Sequence, residues 1–122
     1  EKYGGDATLI GDEGGFAPPC DVQQGVDLLM EGIKRSGYEN EMTLGLDVAA
    51  SEFKVDGQNA YDLDFKTTGA DKDAAALLTG DEMVEFYQKL IRDYPFVTVE
   101  DPFDQDDFDS YIKMTKQMGE QV

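Results

Sequence analysis

Two short runs with the alternation of β-strands, each closed by an acidic residue and joined through one amphipathic helix, constrain this chain most. In Met42-Thr43-Leu44-Gly45-Leu46-Asp47-Val48, the apolar Leu44, Leu46 and Val48 alternate with Thr43, Gly45 and Asp47, the two-residue period of a strand. In Phe96-Val97-Thr98-Val99-Glu100, Val97 and Val99 share one face while Phe96, Thr98 and Glu100 share the other. Between the runs, Thr79-Gly80-Asp81-Glu82 has the spacing of a capping box. Met83, Tyr87, Leu90 and Tyr94 then fall on one helical face until Pro95 ends the helix. A strand that returns through a helix to a second strand implies parallel pairing with a right-handed crossover, hence an α/β fold. Two strands make no stable parallel sheet by themselves, so a larger barrel or sheet is implied.

The remaining elements follow the same rules. Asp21 with Gln24 is a second capping box. Val22, Val26, Leu29 and Ile33 form the apolar stripe of a helix over 21–36, with Gly37 as its left-handed stop. Phe53-Lys54-Val55 and Ala60-Tyr61-Asp62-Leu63 flank Asp56-Gly57 and predict a small hairpin, an inserted flap. Beyond Pro102, the residues Phe108, Tyr111, Ile112, Thr115 and Met118 describe a last helix that Gly119 can terminate. Glu1-Lys2-Tyr3 reads as the end of a helix already under way and Glu120-Gln121-Val122 as equally unfinished, so the expectation is a piece of a larger chain.

Charge and residue types exclude several functions. With Asp+Glu 27 against Lys+Arg 10, the net charge of -17 repels phosphate backbones and anionic lipid, so neither nucleic acid nor a membrane surface is an expected partner. Hydrophobic residues at 40% are too many for a disordered acidic tail, and a packed core is expected. No apolar run approaches the roughly 18–20 residues that cross a bilayer, and Glu1-Lys2-Tyr3-Gly4 is no signal peptide, so the intact protein is expected to be soluble. The chain has no histidine and a single cysteine, Cys20, which excludes a zinc cluster, a histidine triad and an internal disulfide within it. What remains is carboxylate chemistry, with hard oxygen-ligated cations such as Mg²⁺ as the natural cofactors. The lone thiol suits the cytosol.

In (β/α) barrels, side chains at the carboxyl ends of the strands meet at one mouth, where active sites lie. Asp47 and Glu100 end their strands at matching parity and fit that mouth, although each acid could equally cap the loop that follows it. Gly11-Asp12-Glu13-Gly14-Gly15-Phe16-Ala17-Pro18 surrounds two acids with glycines, which suits a loop that folds over a small ligand and aims a carboxyl at it. A plain turn with solvated acids is the alternative. The loop lacks the Lys-Ser/Thr of a P-loop, and Asp104-Gln105-Asp106-Asp107 fails as an EF-hand because Phe108 and Asp109 occupy positions that need a ligand and a glycine.

Three ordered stretches carry a family resemblance that spans nearly the whole chain. They are Gly11 to Pro18, Gly45-Leu46-Asp47-Val48-Ala49-Ala50-Ser51-Glu52-Phe53, and Val99-Glu100-Asp101-Pro102-Phe103-Asp104-Gln105-Asp106-Asp107. Together they resemble enolase, and Tyr61-Asp62-Leu63-Asp64-Phe65-Lys66, Leu78-Thr79-Gly80 and Tyr94-Pro95 resemble its eukaryotic form with the longer flap. Two departures, Pro19-Cys20 where the family usually has Asn after Ala-Pro and Phe108 where Trp is common, touch none of the proposed chemistry.

The resemblance implies a partial (β/α) barrel, with residues 1–122 forming part of the enolase C-terminal catalytic barrel domain and the amino-terminal domain and later strands lying outside them. It implies a cytoplasmic glycolytic lyase, normally a homodimer, that dehydrates 2-phospho-D-glycerate to phosphoenolpyruvate with two Mg²⁺ per site. Asp47 and Glu100 would be two of three carboxylates holding the tightly bound Mg²⁺, Glu100 also bordering the substrate, and Glu13 would assist protonation of the departing hydroxyl. The family's third metal carboxylate and its lysine base come from later strands, so this piece alone is expected to be inactive. Two other classes compete: a glycoside hydrolase with an acid and nucleophile pair on barrel strands, disfavoured because the chain has no Trp to stack on a sugar, and an acidic or Ca²⁺-binding module, disfavoured by the capping boxes and apolar strand faces.

Overall fold

The computed structural model describes residues 4–122, which divide after Met42 into two compact units, the second being Thr43–Val122. The helix end expected at Glu1-Lys2-Tyr3 lies outside the described residues. Among those residues no helix is long and apolar enough to cross a membrane.

The first unit contains a 3₁₀ turn at Gly5–Thr8, the glycine-rich loop and helix α1, Val22–Ser36. Both ends of α1 form as its sequence demands. The Asp21 carboxylate accepts the Gln24 N–H at 2.8 Å and the Gln24 side chain accepts the Asp21 N–H at 3.3 Å, while Gly37 closes the helix at φ 80. The apolar stripe is buried only at Val26; Leu29, expected on the same buried face, is 58% exposed.

The second unit holds strand β1 (Leu44–Asp47), β2 (Ala60–Asp62), β3 (Leu77–Thr79), helix α2 (Gly80–Asp93), β4 (Phe96–Glu100) and helix α3 (Phe108–Met118). β1 and β4 pair in parallel, as the strand–helix–strand order requires, and α2 starts from the Thr79–Glu82 capping box. Met83, Val84, Tyr87, Leu90 and Ile91 make α2 the largest single contributor to the core.

Three local expectations need correction. The flap is built differently: Lys54 contributes only an isolated bridge to Tyr61, while β2 pairs along its length with β3, antiparallel, Ala60 opposite Thr79 and Asp62 opposite Leu77. The Asp56-Gly57 turn does form, with Gly57 at φ 69 and the Val55 N–H on the Ala60 carbonyl at 2.9 Å. The alternation in β4 breaks at its start, because the register passes from Leu44↔Phe96 to Gly45↔Thr98 and skips Val97. This irregularity leaves Phe96 buried and Val97 53% exposed, opposite to strict parity.

On α3 the buried ridge runs through Ser110, Met114 and Met118, leaving Phe108 68% and Ile112 52% exposed. The helix lies against α2 at Gly80, where a Cβ would come within 2.2 Å of Ser110 Oγ. This close approach turns the small Ser110 inward rather than the larger Phe108. Gly119 ends α3 as its sequence position predicts, in a right-handed conformation at φ -67.

Candidate metal-binding site at the strand ends

Asp47 and Glu100 are Cα partners at the carboxyl ends of β1 and β4. Register neighbours on parallel strands lie about 4.8 Å apart and direct their side chains to the same face. The two carboxylates, both exposed, are therefore set side by side. One pleat earlier on that face, Gly45 lies opposite Thr98, and a Cβ at Gly45 would approach Thr98 Cγ2 to 3.0 Å, so the surface beneath the acids is kept low.

The strand pairing continues past both acids. Val48 N–H donates to the Glu100 carbonyl and Ala50 N–H to the Asp101 carbonyl, each at 3.0 Å. The chain turns sharply on both sides of this seam, at Ala49 (φ 49) and Asp101 (φ 44), the two non-glycine residues with positive φ among those described. Such conformations cost on the order of 1–3 kcal/mol each and persist where surrounding structure over-determines them.

At Asp101 the chain that follows is held by tyrosines. The buried Tyr87 hydroxyl donates to the Pro102 carbonyl at 2.8 Å, and the Tyr111 hydroxyl donates to the Phe103 carbonyl at 3.1 Å. The Tyr61 hydroxyl accepts the Asp104 N–H at 3.0 Å and donates to Asp107 Oδ2 at 2.7 Å. Phe103, 1% exposed, sits among the three rings with centroid separations of 6.1, 5.7 and 5.3 Å to Tyr61, Tyr87 and Tyr111. Burial pushes the Tyr61 phenol well above its ordinary range, reinforced by the hydrogen bond to Asp107, and burial does the same to Tyr87. At Asp107 burial opposes ionisation, but the hydrogen bonds from Tyr61 and Ser110 outweigh it and hold the carboxyl below its usual range. These tyrosines were not singled out by sequence reasoning as parts of the site. Tyr87 shows only the apolar period of a core helix, and nothing in the sequence reveals where its hydroxyl ends.

The acids of Asp104–Asp107 serve the loop itself. Asp104 Oδ1 accepts the Asp106 N–H at 3.1 Å and Asp107 Oδ1 accepts the Ser110 N–H at 3.3 Å, capping α3. A hollow of about 260 Å³ lined by Val99, Asp101, Pro102, Tyr111, Met114 and Met118 is bordered by neither strand-end carboxylate.

Glu13 belongs to the other unit. Gly11 N–H bonds the Gly15 carbonyl at 2.8 Å and Gly14 N–H returns to the Gly11 carbonyl at 3.0 Å, so Asp12-Glu13-Gly14 form a three-residue hairpin tip beside the Ile10–Phe16 bridge. Gly14 supplies the positive φ of 82 that this turn needs, and Glu13 stands exposed at the tip.

Asp47 and Glu100 suit Mg²⁺ chemically. They offer hard oxygen donors in register, and none of the ion pairs among the described residues engages either carboxylate. Mg²⁺ commonly takes one or two carboxylates and keeps water or substrate oxygens for its other positions. Among the described residues no group of three or more acids, cysteines or histidines is placed to hold a metal.

Comparison with known proteins gives a consistent match. Residues 1–122 match the family model described as enolase, C-terminal TIM barrel domain. The chain is 45% identical to an enolase of Solanum lycopersicum over 123 aligned positions, which cover 100% of this chain and 27% of that relative. It thus spans about a quarter of the length of the curated relative it matches.

Proposed function

The chain belongs to the enolase C-terminal TIM barrel family, and from that membership we propose that residues 1–122 supply part of the catalytic barrel of a lyase converting 2-phospho-D-glycerate to phosphoenolpyruvate and water. The observation that carries this reading is the in-register placement of Asp47 and Glu100 at the ends of parallel strands. In the proposed site these two carboxylates bind Mg²⁺, with Glu100 also bordering the substrate. The metal, when bound, supplies positive charge against the negative charge that builds on a substrate carboxylate as its neighbouring proton leaves. Asp47 and Glu100 fix where that charge sits. Glu13, presented by its hairpin tip, protonates the departing hydroxyl as a general acid. The reading extends to a cytoplasmic, glycolytic homodimer with two Mg²⁺ per site.

The test uses the full-length protein that contains this chain. Incubated with 2-phospho-D-glycerate, it should form phosphoenolpyruvate, followed by the ultraviolet absorbance of the enol product, only when Mg²⁺ is supplied. Product formation at an equal rate after exhaustive chelation would refute the reading.

A further inference from the structure

Glu100 has no ion-pair partner among the described residues, and its backbone sets the Cα–Cβ direction from which its carboxylate starts. That backbone is followed at once by the strained Asp101, φ 44, which would relax toward an ordinary conformation if the next residues were free to move. They are not free. Pro102, Phe103 and Asp104 are consecutive, and each has one backbone group held by the hydroxyl of a tyrosine from a different element: Tyr87 of α2, Tyr111 of α3 and Tyr61 of β2.

We propose that these three hydroxyls act as a clamp that positions the Glu100 carboxylate, making Tyr61, Tyr87 and Tyr111 positioning residues for metal binding. The proposal rests on the reading of Glu100 as a metal ligand. Ring packing around Phe103 does not account for the arrangement, because phenylalanine would pack equally well. The hydroxyls are what reach the carbonyls of Pro102 and Phe103 and the N–H of Asp104. Tyr61 goes further, since its single hydroxyl both accepts from Asp104 and donates to Asp107, which caps α3. Three packed elements thereby share one backbone segment next to the site. Partners that orient metal ligands commonly change affinity or activity by 10- to 100-fold when lost.

The test replaces each tyrosine by phenylalanine, singly and together, in the full-length protein. Binding of Mg²⁺ alone is followed by calorimetric titration and folding by a thermal melt, with Glu100→Gln as comparator. The triple variant should bind Mg²⁺ at least about tenfold more weakly while remaining folded, with smaller losses in the singles. A lowered melting temperature with unchanged Mg²⁺ affinity would make the tyrosines merely structural and overturn the clamp. If Glu100→Gln weakens Mg²⁺ binding but the phenylalanine variants do not, the clamp fails and the function proposed above stands. If Glu100→Gln also leaves Mg²⁺ binding unchanged, the metal-ligand reading itself fails. Should the triple variant not fold, the half-buried Tyr111→Phe variant carries the same comparison.

Discussion

Asp47 and Glu100 stand directly opposite one another at the ends of two parallel strands, and the seam between them is extended by the Val48-to-Glu100 and Ala50-to-Asp101 backbone bonds. The acids are exposed, and their position rests on backbone pairing rather than on bonds of their own side chains. Function and stability are therefore separable at these residues.

Replacing Asp47 by Asn or Glu100 by Gln in the full-length protein should lower kcat/KM by more than the roughly 100-fold expected from losing a supporting partner. Stability should change by no more than about 0.5 kcal/mol, as for exposed substitutions generally. Steady-state kinetics at saturating Mg²⁺, paired with urea unfolding, checks both halves. Near-normal turnover would refute their proposed role as metal ligands.

Glu13→Gln should behave differently. An uncharged side chain of nearly the same shape leaves Mg²⁺ and substrate binding intact but cannot donate a carboxyl proton, so elimination of the hydroxyl should slow by about 10²- to 10⁴-fold. Single-turnover measurements separate that step from binding. A parallel loss of Mg²⁺ affinity would contradict the role.

Asp107 makes a pH prediction. Its folded pKa lies below the ordinary 3.8 because the bonds from Tyr61 and Ser110 outweigh the opposing effect of burial. The stabilisation is then fully present above that value and is lost as pH falls from it through the lowered folded pKa. Melting temperature measured through this acid range should fall less steeply in Asp107→Asn than in the parent. Equal slopes would show that Asp107 is not responsible.

Gly80 should resist enlargement. The added methyl group of Gly80→Ala would lie 2.2 Å from Ser110 Oγ, 3.2 Å from Asp107 Oδ2 and 3.4 Å from Asn59 Nδ2. Overpacking of this kind costs about 1–3 kcal/mol, which outweighs the gain of up to about 1 kcal/mol from replacing glycine in a helix. Ser110→Ala removes the closest atom, so the double variant should regain part of the loss. Urea midpoints of the two single variants and the double variant provide the check.

What the sequence determined by itself is mostly local. The starts of α1 and α2 follow from Asp21 with Gln24 and Thr79 with Glu82, because a capping box satisfies helix-end N–H groups within a few residues. Gly37 likewise marks its helix end by the one conformation that glycine adopts without penalty. The parallel pairing of β1 and β4, and the placing of an acid at the end of each, were also legible, since a helical crossover leaves few other topologies.

Tertiary structure decided the rest. Strand β3 went unread because Leu77-Leu78-Thr79 is too short to show a period and becomes a strand only through its pairing with β2. The skipped Val97 and the inward turn of Ser110 reverse the expected faces at the start of β4 and on α3, and both are set by neighbouring elements. The tyrosine clamp is the clearest case. Tyr61 meets Asp104 and Asp107 across 43 and 46 residues of chain. Bonds between groups so far apart in sequence leave no periodic or capping signal, and exist only once α2, α3 and the flap have packed around Phe103.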